Sequence, residues 1–466
     1  MKIRNTKSII PWVWSIGLML VFFIIKKITG SGAIALPASA AVAWMMFRLD
    51  IRYYPAMLLS LAISVWCGRV MMIMSVILVL MNLWSLRAYY PRHIVPWFFF
   101  LLLPVPLLLW WGAHNYLSVR SDPGTAFAQL SMYLTLFPFF FGLLLSKQFT
   151  KKDSMLFLVT SLIICVLTFF AYERSPELLR TEWAAEKEYI RTEFIVIPIV
   201  YCCGLYGLFK PQYLWCTVCG AIIFVMASFA GNTLTLLGTA ILAYSVLLGV
   251  LLRARWFIAV INSVAPYLVS ILFVVFVSIN WEKYSVRAYD KDADYEKLKT
   301  SFNWRDIQER IMMKTFDDRA ALWSASWKYI VDAPKWVPNN SYIPQVLTIE
   351  DSNLRRRDID LASHNVYLEV LRQLRFGVGG FFLAGYFAIF ILGGRLLRIP
   401  SRDIIFTIIL VSVLTVGIVG STTGHFILLA NVSFMFTSIL GLSYGLYCQE
   451  LRQRFERLHA PNRVGS

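Results

Sequence analysis

Apolar runs long enough to cross a bilayer follow one another along nearly the whole chain, and no other feature restricts the possible folds as tightly. A hydrocarbon core about 30 Å thick takes roughly 20 apolar residues per helical crossing. Such runs fall at about 9–25, 32–47, 53–67, 70–85, 95–112, 126–146, 154–172, 194–210, 212–230, 232–252, 256–280, 376–394, 403–420 and 424–446. The pieces at 32–47 and 53–67 are short, so they read either as two crossings or as a re-entrant pair, giving about 14 or about 12 spans. Hydrophobic residues make up 58% of the 466 and charged residues 15%, a balance that excludes a water-soluble enzyme. Runs without alternation exclude a transmembrane barrel. The expectation is an all-α polytopic membrane protein with about 12–14 transmembrane helices and one long outer loop.

The formal net charge is +17, and its placement decides whether it marks a polyanionic partner. With the N-terminus inside, Lys2, Arg4 and Lys7 face the cytoplasm, and so do Arg48, Arg52, Arg87, Arg92, Lys147, Lys151 and Lys152. The same alternation takes in Lys210, Arg253, Arg255, Arg395, Arg398 and Arg402, and ends with Arg452, Arg454 and Arg457. This is the positive-inside pattern. Lys26, Lys27 and Arg69 fall on the opposite side. The longest hydrophilic loop, about 281–375, nearly balances its acids and bases, so the excess charge is topological and no nucleic-acid partner is expected. The chain divides into membrane helices over 1–280, the outer loop over 281–375, closing membrane helices over 376–446 and a cytoplasmic tail over 447–466. The first apolar run lacks a small-residue cleavage site and reads as a retained anchor, with both termini cytoplasmic.

Cys67, Cys165, Cys202, Cys203, Cys216, Cys219 and Cys448 lie in or beside predicted spans or in the tail, so a disulfide framework is not expected. Acids are almost absent from the spans, with Glu193 at a boundary, which argues against an ion-coupled transporter. There is no phosphate-binding loop, dinucleotide fingerprint or zinc-protease motif. Chemistry is expected at the outer face.

Four features of the outer loop bear on that chemistry. From Asp317 and Asp318 through Arg319 to Ile330 the pattern is an amphipathic helix, with Trp323, Trp327 and Ile330 on one stripe. On this feature alone a helix lying on the membrane surface is the simpler reading. Arg355, Arg356 and Arg357 form a cation cluster followed by Asp358 and Asp360, either a solvated charge run or an anion clamp, since a guanidinium fork matches phosphate oxygens. Ser363, His364 and Asn365 precede an apolar helical pattern, with Ser363 the expected N-cap. A helix N-terminus disfavours imidazolium, so His364 would stay neutral near pH 7 and be able to accept a proton. A lone histidine is more often structural, but this one shares its loop with arginines. Finally, Asp290, Asp292 and Asp294 alternate as cation ligands can, but Tyr295 stands where a calcium loop needs glycine, and a solvated acidic turn is expected.

The layout and these motifs resemble the bacterial O-antigen ligase and O-antigen polymerase superfamily. The resemblance is carried by Arg319-x-x-x-Trp323 on a helix running to Pro334, by His364-Asn365-x-Tyr367-Leu368, and by Gly377-Val378-Gly379-Gly380. Arg191, before the span near Phe194, resembles the family's earlier periplasmic arginine. Two departures stand out. Arg375 occupies the position where ligases of the family begin a Gly-x-x-Gly, and Ala230-Gly231-Asn232-Thr233 replaces a Ser-Arg-Gly step.

The resemblance implies an inner-membrane, metal-independent inverting glycosyltransferase without a cofactor. It would move a glycan from undecaprenyl diphosphate to a hydroxyl acceptor on the periplasmic side. In a ligase the acceptor is a lipid A-core sugar, and in a polymerase it is the end of another lipid-linked repeat. His364 is the implied general base, Arg191 and Arg319 the implied diphosphate-binding residues, and Arg355, Arg356, Arg357 and Asn365 candidate substrate contacts. One dominant outer loop and the closing spans through Gly420 and His425 lean toward ligase, while Arg375 leans the other way. A lipid-glycan flippase or exporter is the reading from another class, and the nearly uncharged spans argue against it.

Overall fold

The computed structural model describes residues 10–86, 137–150, 320–332, 347–350, 356–359, 365–396, 404–423 and 430–458, with short pieces or single positions at 134, 153, 156–161, 163, 218, 272, 275–276 and 279. The expected spans at 95–112, 194–210 and 232–252 lie outside the described residues, as do nearly all of those at 212–230 and 256–280. What is described is helical, apart from one short strand pair.

Helix α1 spans Ile10–Thr29 and is the one helix among the described residues that meets both the length and the apolarity of a crossing. It buries Ser15, Ile16, Met19 and Phe23, a single stripe at three- and four-residue spacing. Its outward side is apolar too, with Val13, Trp14, Val21, Ile24 and Ile28 exposed. Lys26, the cation on the discordant side, donates from Nζ to the Ile63 carbonyl at 2.7 Å and so satisfies a carbonyl of the turn after α3.

Helix α2 (Ala35–Phe47) and helix α3 (Tyr54–Ser60) follow, joined by a single 3-10 turn that Asp50 caps by accepting from the Arg52 amide at 3.0 Å. Asp50 also pairs with the Arg52 guanidinium, and that hydrogen bond raises the Arg52 pKa. The expected crossing at 53–67 is interrupted. Helix α3 has seven residues, about 10 Å of rise, after which the backbone turns at Leu61–Ile63 and α4 (Val65–Met81) starts, capped by Ser64. The expected run at 70–85 therefore begins five residues earlier, because the Ser64 hydroxyl supplies a cap that apolarity does not reveal.

Helix α5 (Phe137–Leu145) is buried along its whole length against the last helix of the molecule. At the far end of α5, Gln148 donates from Nε2 to the Leu49 carbonyl at 2.8 Å, and its Oε1 accepts from the Ile51 amide at 3.4 Å. The basic segments around Arg48 and Lys147 thus meet.

Within 281–375, helix α6 covers Ala320–Asp332, and strands β1 (Leu347–Glu350) and β2 (Arg356–Ile359) pair antiparallel. The register sets Glu350 opposite Arg356 and Ile349 opposite Arg357.

Three long helices close the chain: α7 (Val366–Leu396), α8 (Ile404–Thr423) and α9 (Ala430–Leu458). Helix α9 packs against α4, α5, α7 and α8 and is the axis of the core. Its approach to α5 is backbone on backbone. A Cβ on Gly142 would overlap the Ser438 carbonyl, and one on Gly441 would overlap the Phe139 carbonyl. Gly441 and Gly445 form the small-xxx-small spacing by which helices in an apolar medium gain van der Waals contact. Several buried hydroxyls are satisfied locally, as where Thr415 donates to Val411 and Ser443 to Ile439. Two more bond between helices: Tyr54 with Ser438 at 2.7 Å and Tyr386 with Ser421 at 2.6 Å.

Candidate functional site

The start of α7 is the best-anchored point of the region the motifs single out. Asn365 is fully buried and acts as the N-cap, its Oδ1 accepting from the Leu368 amide at 3.0 Å. The expected cap, Ser363, stands two residues too early. The same side chain donates from Nδ2 to the Thr422 carbonyl at 2.9 Å, tying the N-terminus of α7 to the C-terminal end of α8. Asn365 therefore has a positioning role, with both ends of its amide in the scaffold.

Helix α6 does not lie free on a surface. Trp323 and Ile330 are buried with Leu368 in a small cluster that Trp327, Leu371 and Phe376 enclose. Trp327 meets Phe376 edge to face at 6.4 Å. The helix that follows Arg319 thus packs on the helix that follows His364, with Trp323 four positions after the arginine and Leu368 four after the histidine. Arg191, Arg319, Arg355 and His364 themselves lie outside the described residues. Arg356 and Arg357 belong to β2, so the cation cluster continues into an ordered strand pair.

The first turns of α7 carry three charged residues on one face at three-residue spacing: Glu369, Arg372 and Arg375. Glu369 and Arg372 form a buried ion pair, Nη2 to Oε1 at 2.5 Å. At Arg375 the helix breaks, with φ 61° and ψ 175°. This positive-φ, extended-ψ backbone is essentially confined to glycine and costs another residue about 1–3 kcal/mol. Arg375 is 6% exposed, its guanidinium lies 5.0 Å over the Tyr329 ring, and Nη2 donates to the Tyr329 hydroxyl at 3.2 Å. Its Nε and Nη1 are buried without a hydrogen-bond partner among the described residues. In the sequence Arg375 stands out only as a departure from a glycine pattern. The spacing of three charges at the mouth of an apolar run was the signal for a polar cluster.

Among the described residues the arrangement packs the N-terminal turns of α7, a helix end that favours anions, against α6. Comparison of the chain with protein-family models, curated proteins and solved structures yields no match.

Proposed function

We propose that the chain is a polytopic inner-membrane glycosyltransferase of the O-antigen ligase kind, moving a glycan from undecaprenyl diphosphate to a lipid A-core hydroxyl at the periplasmic face. The observation that carries this reading is the packing of α6 on the start of α7, which joins the two outer-loop motifs through Trp323 and Leu368.

The membrane part of the reading rests on surfaces. Helix α1 is apolar all round as far as Lys26 and α8 runs 20 residues without a charged side chain, which suits a lipid environment. Trp14, Trp44 and Tyr53 cluster near Arg48, whose guanidinium sits 5.0 Å from the Trp44 ring, as residues do at a bilayer interface. The meeting of the Arg48 and Lys147 segments supports a common cytoplasmic side.

In the proposed reaction the acceptor hydroxyl oxygen attacks the anomeric carbon from the face opposite the diphosphate. His364 takes the hydroxyl proton as the new carbon–oxygen bond forms. The bond from the anomeric carbon to the diphosphate oxygen breaks, and its electron pair leaves on undecaprenyl diphosphate, where Arg191 and Arg319 meet the growing charge. Inversion follows. Asn365 holds the chain immediately after His364, and Arg355, Arg356 and Arg357 offer cations beside the donor.

Purified full chain in lipid vesicles, given undecaprenyl-diphosphate-linked glycan and lipid A-core, is expected to transfer glycan. His364→Ala is expected to lower the rate by roughly 10²–10⁴-fold, the usual contribution of a general base. A ladder formed from lipid-linked repeats alone would move the assignment to polymerase. Lipid-glycan movement across the bilayer that is indifferent to His364→Ala, without transfer, would leave the exporter.

A further inference from the structure

The guanidinium of Arg375 is the one charged group near the site whose surroundings leave it incomplete among the described residues. Arginine offers five N–H donors in a rigid fork. Tyr329 occupies part of Nη2, while Nε and both hydrogens of Nη1 are enclosed and unanswered. Leaving such donors empty in a buried position is costly, so a ligand of matching chemistry is the natural complement. No described carboxylate pairs with Arg375, and Glu369 is taken up by Arg372. Ser326, one turn before Tyr329 on α6, adds a buried hydroxyl without a hydrogen-bond partner among the described residues.

Backbone and depth point the same way. An arginine is held at a left-handed φ that glycine would take without strain, which is the kind of local cost that persists where a side chain has a task. Arg375 also stands at the leading end of the apolar stretch Leu374–Ala388. In the membrane reading that is the interface, the depth at which a lipid with a buried tail presents its headgroup.

We propose that Arg375, stacked on Tyr329 at the break in α7, is an anion-binding residue for the diphosphate of a polyprenyl-linked donor. This deepens the function proposed above and rests on it for the identity of the lipid. Nε and Nη1 donate to phosphoryl oxygens, and Tyr329 fixes the plane of the fork. The residue that departs from the glycine pattern thereby adds a phosphate contact within the folded core.

The test measures binding of undecaprenyl diphosphate, and separately of inorganic pyrophosphate, to the full chain in nanodiscs by titration calorimetry, with melting temperature followed in parallel. Arg375→Gly supplies the residue the backbone prefers, so it is expected to keep or raise the melting temperature while weakening binding roughly ten- to hundred-fold. Arg375→Gln, which keeps a side chain but removes the charge, is expected to weaken binding similarly. Arg375-dependent binding of both probes assigns the site to the diphosphate itself, and Arg375-dependent binding of the lipid alone assigns it to the headgroup as a bilayer presents it. Unchanged affinity for both probes in either folded variant overturns the proposal. Arg375-dependent binding in a protein that transfers no glycan removes the transferase reading and leaves this one. Transfer by the wild type with Arg375-independent binding does the reverse.

Discussion

Asn365 serves two elements with one amide, and its substitutions separate the two contributions. Asn365→Ala removes the cap on α7, worth about 1 kcal/mol, and the bond to the Thr422 carbonyl. Asn365→Asp keeps the acceptor that caps Leu368 but has no N–H for Thr422. If Asn365 positions His364, Asn365→Asp, which also lowers the melting temperature by burying a carboxylate against the Thr422 carbonyl, is expected to lower kcat further than the lost stability explains, with little change in KM. Equal loss of stability in both variants, with kcat following stability, would make the residue purely structural. At the same scale, Arg375 shows why residue type alone underdetermines a role, since a charged side chain at a glycine-favouring φ makes sense only with its surroundings in view.

At the scale of elements, contact between helices in an apolar medium depends on how closely backbones approach, not on apolar burial alone. The α5–α9 pair is the clearest case. Gly441→Leu is expected to prevent folding, because the Phe139 carbonyl already occupies the space and backbone cannot give way as a flexible side chain does. Gly17→Ala on α1 meets nothing within 4 Å and is expected to stabilise by about 0.5–1 kcal/mol. Yield and melting temperature of the two variants in detergent check both expectations. The stripe of Trp323, Trp327 and Ile330 was readable from its helical period, and it buries as a stripe should. Its target was not readable, because Leu368 and Phe376 come from another part of the chain. The β1–β2 pair was likewise invisible: strands this short carry too little alternation to stand out, and they form because each supplies the other's backbone partners.

For the whole molecule, the proposed orientation predicts which positions an impermeant thiol reagent reaches in intact cells. Lys328→Cys on α6 is exposed and is expected to react from outside the inner membrane, whereas Lys147→Cys, beside the Gln148 bridge, is expected to react only after that membrane is opened. The described native cysteines Cys67 and Cys448 are buried, and Cys165, Cys202, Cys203, Cys216 and Cys219 are replaced by serine so that only the introduced thiol reports. Labelling of both from the same side would refute the topology. Helical character was legible from the sequence alone, because the length of an apolar run and the 3.6-residue period are local properties that survive without knowledge of neighbours. The sequence also marks 281–375 as the longest hydrophilic stretch, with arginines and a histidine in it. Three things were decided only by tertiary structure: the interruption after Ser60, the cap at Asn365 instead of Ser363, and the enclosure of Arg375. The bonds of Lys26 with Ile63, of Asn365 with Thr422 and of Arg375 with Tyr329 each join segments distant in the chain. No local pattern encodes such partners, because the free energy that selects them exists only once the helices have packed.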